Sequence, residues 1–218
     1  KETVMEGFKE LSDVVGADSM GWRYDPIFID KKHSVEWHIS EFEKMAENLA
    51  GYTKTCVISF IDIYKKVERN FPEAKSVRAE DRAMIGKAFV KIASKYGMVL
   101  RPCAEGEELA QYDADCSGCM TVHTFETALH SRLEVPKRKK NQRNGECACL
   151  LGTDIGAYDT CGHLCKYCYA NVNSVLVKEN MKKHNPASPF LIGGHMLGDI
   201  VREAKQESWI DRQIRLKF

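Results

Sequence analysis

The chain has 218 residues, and 32 Lys+Arg against 31 Asp+Glu leave a net charge of +1. That balance argues against a strongly basic nucleic-acid binder. A hydrophobic content of 44% beside 29% charged residues excludes a disordered chain, and no apolar run approaches the ~20 residues that a membrane helix needs.

The length suits one domain with a sizeable core, or one domain with a small appendage. No signal-peptide pattern opens the chain, so the expected compartment is the cytoplasm. The first residue is Lys1 rather than Met, and it leads directly into a helical pattern. We therefore read the chain as a fragment whose beginning is missing. There are nine cysteines, and their spacing points to metal rather than to disulfides.

Val4, Met5, Phe8, Leu11, Val14 and Val15 recur at helical spacing, and Gly16 follows as a stop. The stretch 19–25 reads as a short buried strand ending in Arg23 and Asp25, ahead of Pro26. A second helix is predicted from Ser34, a good N-cap, to Ala50, with Val35, Ile39, Phe42, Met45 and Leu49 on its apolar face. Residues 56–62 form a continuous apolar strand closed by Asp62. A third helix covers Ala79 to Tyr96, burying Met84, Ile85, Ala88, Phe89, Ile92 and Tyr96, and Gly97 ends it. Residues 98–103 supply a third strand.

This alternation predicts parallel strands with helical crossovers, and apolar strands suit a sheet covered on both faces. The predicted fold class is α/β: a partial parallel (β/α) TIM-like barrel with its N-terminal strands missing, since a complete barrel takes ~250 residues. Sites on such folds use the C-terminal strand ends. Those ends carry Arg23, Asp25, Asp62, Arg101, Cys103 and Glu105. Arg and Asp at strand ends also pair with one another for structural reasons alone, and the sequence leaves both roles open.

After Cys103 the rhythm changes, which divides the chain into a β/α portion (1–112) and a cysteine-rich, metal-binding C-terminal region (113–218) packed on it. A loop with Cys116 and Cys119 leads into a helix predicted from Val122 to Leu133. The basic run at 137–143 offers an anion a patch, but no aromatic residue interleaves it, so nucleic acid is not the favoured partner. Cys147 and Cys149 follow, and then Cys161-Gly-His-Leu-Cys165-Lys-Tyr-Cys168. Another helix is expected to run on to about Lys183.

Three thiolates spaced C-x3-C-x2-C favour iron–sulfur or zinc over hard cations. A 4Fe–4S cluster held by Cys161, Cys165 and Cys168 has one iron left for another ligand. Zinc would need a fourth donor, which His163 or His184 offers. Cys103, Cys119, Cys147 and Cys149 form a candidate second site for an iron–sulfur cluster or zinc, with Cys116 competing for the place of Cys119. Cys56, inside an apolar strand, reads as a packing residue.

With aromatic Tyr167 before its last cysteine, the motif resembles the signature of the radical S-adenosylmethionine (SAM) superfamily. The resemblance implies a 4Fe–4S cluster whose open iron binds SAM, cleavage of SAM to methionine and a 5′-deoxyadenosyl radical, an electron donor as partner, and Tyr167 near the adenine. Most members place the three cysteines after the first barrel strand, whereas here they follow all three predicted strands. A closer resemblance rests on 21–27, 56–62, 141–143, 154–158, 161–171 and 185–193. These segments are similar to the bacterial family called domain of unknown function 1848, over nearly the whole chain.

The expected function is thus a radical SAM-like enzyme of unknown substrate. Arg23, Asp25, Asp62, Arg101 and Glu105 are its candidate substrate or cofactor contacts. The alternative is a non-enzymatic metal-binding module that stabilises a fold or docks a partner.

Overall fold

The computed structural model describes residues 2–136, 149–150, 156–203 and 207–213. The chain divides into two compact units, Lys1–Asp62 with Lys75–Leu151 and Trp209–Phe218, and Ile63–Ala74 with Gly152–Ser208. Among the described residues, no helix is long and apolar enough to cross a membrane.

The first unit opens with helix α1, Glu2–Val15. Gly16, at a φ of 85°, turns the chain out of it, a conformation that suits glycine. Strand β1, Gly21–Ile27, follows. It runs past its expected end at Asp25, through a cis Asp25–Pro26 bond. Helix α2, Val35–Leu49, starts where the sequence predicts, because the Ser34 hydroxyl accepts the Trp37 N–H at 3.2 Å. Strand β2 is Thr55–Phe60, helix α4 is Ala79–Lys95 and strand β3 is Val99–Pro102. Helix α3, Lys65–Asn70, lies in the second unit. Helix α5, Val122–Leu129, ends earlier than its apolar spacing suggests, because His130 adopts the left-handed conformation.

The three strands form a parallel sheet in the order β1-β2-β3. The sheet is open, and no closed barrel is found among the described residues. Its register sets Trp22, Cys56 and Leu100 in one row and Arg23, Val57 and Arg101 in the next. Side chains alternate across a strand, so neighbouring rows face opposite sides.

One side is an aromatic core. Phe42 of α2 and Phe89 of α4 are fully buried and stacked with centroids 3.8 Å apart. Trp22 stacks on Phe42 at 4.9 Å, and Tyr24 meets both phenylalanines edge-on at 5.4 Å. Such pairs add to the burial of their area. The core includes one polar chain. His38 Nε2 donates to the Phe28 carbonyl at 2.8 Å, so Nδ1 accepts the Tyr24 hydroxyl at 2.9 Å. Burial holds His38 below its ordinary pKa. The predicted face of α2 is correspondingly rotated: His38 and Ala46 are buried, in place of Ile39 and Met45.

The other side of the sheet differs from the expectation of helices on both faces. Its rows carry charged and thiol side chains, and the segment 113–121 and residue Cys149 meet it.

Two glycines in helices test this packing. A Cβ on Gly86 of α4 would stand 2.3 Å from Leu109 Cδ2, and Leu109 is itself buried, whereas a Cβ on Gly7 of α1 meets nothing within 4 Å. Gly86→Ala should therefore cost about 1–3 kcal/mol through overpacking. Gly7→Ala should stabilise by roughly 0.5–1 kcal/mol. Urea unfolding of both variants checks the opposite signs, and a Gly86→Ala protein as stable as the parent would contradict the packing.

Candidate functional site

The candidate residues fall into two groups, one in each unit. In the first unit they line the polar side of the sheet. Arg23 Nη2 and Asp25 Oδ2 form an ion pair at 2.5 Å, and the Ser59 hydroxyl donates to the same carboxylate oxygen at 3.4 Å. Burial pulls against the Arg23 charge, but its hydrogen bond to Asp25, the Asp25 charge and a further bond to Cys103 hold the guanidinium above its ordinary pKa. Arg101 Nη1 donates to Thr124 Oγ1 at 2.7 Å, and Nη2 pairs with Asp115 Oδ2 at 3.1 Å, so this cation ties β3 to the loop and helix that follow. Its Nε is buried without a hydrogen-bond partner among the described residues.

Asp62 lies just past β2 and is exposed. Glu105 Oε1 accepts the Phe60 N–H at 2.8 Å. Burial, with Asp62 adding to it, pushes the Glu105 carboxyl up to about 7, where it can give or take a proton near neutrality.

Three of the thiols expected at a second metal site gather on this side. Cys119 Sγ lies 3.7 Å from Cys103 Sγ and 3.3 Å from Cys149 Sγ. Together with Val57, Cys119 and Cys149 form a small buried cluster against which Cys103 packs. Residues 149–150 are fixed there by two bonds: Met120 N–H donates to Cys149 Sγ at 3.3 Å, and Leu150 N–H donates to the Met120 carbonyl at 2.8 Å. The hydrogen bond that the Cys119 thiol donates to Cys103, and then burial, drive the Cys119 thiol pKa strongly upward. Cys147 and the basic run from Lys137 to Arg143 lie outside the described residues. Cys116 is half-buried, and Cys56 is fully buried on the aromatic side. Among the described residues, no three His, Cys, Asp or Glu side chains are grouped so as to hold a metal ion.

The second group occupies the second unit, which contains helices α3, Lys65–Asn70, and α6, Ser174–Lys182. Cys161, Cys165 and Cys168 sit on the loop before α6. Cys161 and Cys165 are exposed and Cys168 is half-buried, and among the described residues none is in a disulfide. Leu164 takes a φ of 51° and Cys168 N–H donates to the Cys165 carbonyl at 3.0 Å, so the loop turns tightly between its cysteines. A Cβ on Gly162 would stand 2.9 Å from Met181 Sδ, so glycine lets the loop approach α6.

Polar side chains pin both ends of this loop. Asp159 Oδ1 accepts the Val172 N–H at 2.5 Å and the Asn173 N–H at 2.9 Å, and these bonds hold its carboxyl below the usual range. Asn171 Nδ2 donates to the Cys161 carbonyl at 2.7 Å, while its buried Oδ1 has no hydrogen-bond partner among the described residues. The Tyr64 hydroxyl donates to the Tyr167 carbonyl at 2.5 Å, and Lys166 pairs with Glu73 at 3.1 Å. A cleft beside Cys165 is lined in part by Asn70, Lys166, Asn171 and Asn173.

Sequence reasoning missed Ser59, Asp115, Thr124, Asp159 and Asn171. Ser59 was open to discovery, since it stands two residues from Val57 and shares its face. Asp159 and Asn171 flank the cysteine motif on either side, which is where loop anchors belong. Asp159→Ala should speed amide exchange of Val172 and Asn173 roughly tenfold, the scale of one lost hydrogen bond. Asp159→Asn, which keeps an acceptor, should leave them near the parent rate. Equal exchange in parent and alanine variant would contradict the anchoring.

A family model described as Domain of unknown function (DUF1848) matches residues 1–170. The matched span includes the three strands and the cysteine loop, and the segment 185–193 lies beyond it. No curated protein and no solved structure matches the chain. The family match covers well over half of the 218 residues, and on that ground the chain belongs to the DUF1848 family.

Proposed function

We propose that the protein is an iron–sulfur enzyme of radical SAM type, with Cys161, Cys165 and Cys168 holding a 4Fe–4S cluster. The observation that carries this reading is the set of three unpaired thiols on one short, anchored loop, two of them exposed. A buried structural zinc would be expected to enclose its ligands. The donor chemistry fits, because thiolates are the ligands of such clusters and three of them leave one iron for a further ligand. When bound, such a cluster supplies the electron that cleaves SAM to methionine and a 5′-deoxyadenosyl radical.

The chain's own residues bind and orient. Tyr64 fixes the carbonyl of Tyr167, the aromatic residue assigned to the adenine. Asn171 anchors the Cys161 carbonyl and keeps one acceptor for a donor group entering the cleft beside Cys165. In the first unit, Arg23, Asp25, Asp62, Arg101 and Glu105 are the proposed polar contacts for substrate. Glu105 is best suited to move a proton, since it titrates near neutrality. The parallel β-α-β order supports reading the open sheet as an arc of a (β/α) barrel. The same reading places the protein in the cytoplasm, with a reducing electron donor as its partner.

Anaerobic reconstitution with iron and sulfide, reduction with dithionite and addition of SAM tests the reading. The expected product is 5′-deoxyadenosine, and the Cys161→Ala/Cys165→Ala/Cys168→Ala variant should form none. Iron incorporation without 5′-deoxyadenosine would overturn the SAM reaction and favour a non-catalytic metal module. Unchanged iron and sulfide in the triple variant would overturn the assignment of the cluster to this loop.

A further inference from the structure

We propose that Cys103, Cys119 and Cys149 hold a single thiophilic metal ion of the zinc class on the polar side of the sheet. This site is separate from the cysteine loop of the second unit, and its assignment does not depend on the chemistry proposed there.

The argument begins with the distances. Two thiolates on one tetrahedral zinc ion, each at ~2.3 Å from the metal, stand about 3.8 Å apart. The Cys119–Cys103 separation of 3.7 Å is that edge, and the Cys119–Cys149 separation of 3.3 Å is slightly inside it. Cysteines of a 4Fe–4S cluster each bind a different iron, which spreads their sulfurs well beyond such contact. The spacing therefore favours one ion over a cluster.

A disulfide explains the arrangement less well. It would pair two of these sulfurs and leave the third pressed against the pair with no role. The three cysteines also come from separate places in the chain: the residue after β3, the loop before α5, and the short segment at 149–150. Drawing such segments together on one ion is what a structural metal does.

Polar groups already stand beside two of the sulfurs. Met120 N–H already donates to Cys149 Sγ, and Arg23 lies near enough to Cys103 to interact with it. Three thiolates on a divalent cation leave one net negative charge, and Arg23 is the cation placed to offset it. The thiols do not yet converge on one point as a loaded site would. Loading the ion requires side-chain rotation about the Cα–Cβ bonds, and leaves a fourth position for another donor.

The test uses the full chain carrying Cys161→Ala, Cys165→Ala and Cys168→Ala, so that the other thiol group is absent. Titration with Co2+ should give the visible ligand-field bands of tetrahedral thiolate coordination at one equivalent per chain, and Zn2+ should displace them. Adding Cys119→Ser should weaken binding at least a hundredfold, while adding Cys56→Ser should leave it unchanged. No tetrahedral cobalt signal in the parent of this series would overturn the proposal, as would retention of full affinity by the Cys119→Ser chain. Because Cys119→Ser could unfold the unit, the unsubstituted chain gives a second readout. Zn2+ should protect Cys103, Cys119 and Cys149 together from alkylation, mapped by mass spectrometry. Equal alkylation of the three with and without Zn2+ would overturn the site without any substitution.

Discussion

The first unit depends on one geometric constraint, the alternation of side chains across three parallel strands in fixed register. Trp22, Cys56 and Leu100 share a row, and the next row is Arg23, Val57 and Arg101. The first row meets the stacked pair Phe42 and Phe89 and supplies much of the apolar burial. The second row is thereby committed to the opposite side. Charges there face the segment 113–121 rather than a helix core. A slip of one residue in β1 or β3 would turn its arginine toward the aromatic side. The register that stabilises the sheet thus also collects Arg23, Asp25, Ser59, Arg101 and Cys103 on one side.

The two groups of thiols live in different physical surroundings. Cys119 and Cys149 are buried among apolar and sulfur atoms, where charge on a thiolate needs a compensating partner. Cys161 and Cys165 are exposed on a loop held by Asp159 and Asn171, with little apolar cover. A closed site suits an ion that holds structure together, and an open loop suits a metal group that must meet a second molecule. The two groups thus differ in burial, although both consist of cysteine.

Much of the fold was legible because local signals agreed. Ser34 as a cap, Gly16 and Gly97 as stops and the apolar run at 56–60 each pointed to the element that forms there. The shift in the face of α2 was not legible, because His38 counts as polar in a periodicity argument and is buried only through its bonds to Tyr24 and Phe28. Coverage of the sheet was misjudged for a related reason. Apolar runs in β2 suggested helices on both sides, but Val57 is buried against cysteines. The cysteine motif at 161–168 was visible by spacing alone, whereas its anchors were not, since a single Asp or Asn carries no pattern. Arg23 and Asp25 were named from their strand-end position. Their pairing with each other, and the link from Arg23 to Cys103, required the third dimension.

The central claim is that Cys161, Cys165 and Cys168 leave one iron of a 4Fe–4S cluster open to SAM. Electron paramagnetic resonance of the reconstituted, dithionite-reduced full chain, recorded with and without SAM, tests it most directly. The account predicts a reduced-cluster signal whose shape and g values change when SAM binds. Identical spectra with and without SAM, or no cluster signal at all, would contradict it.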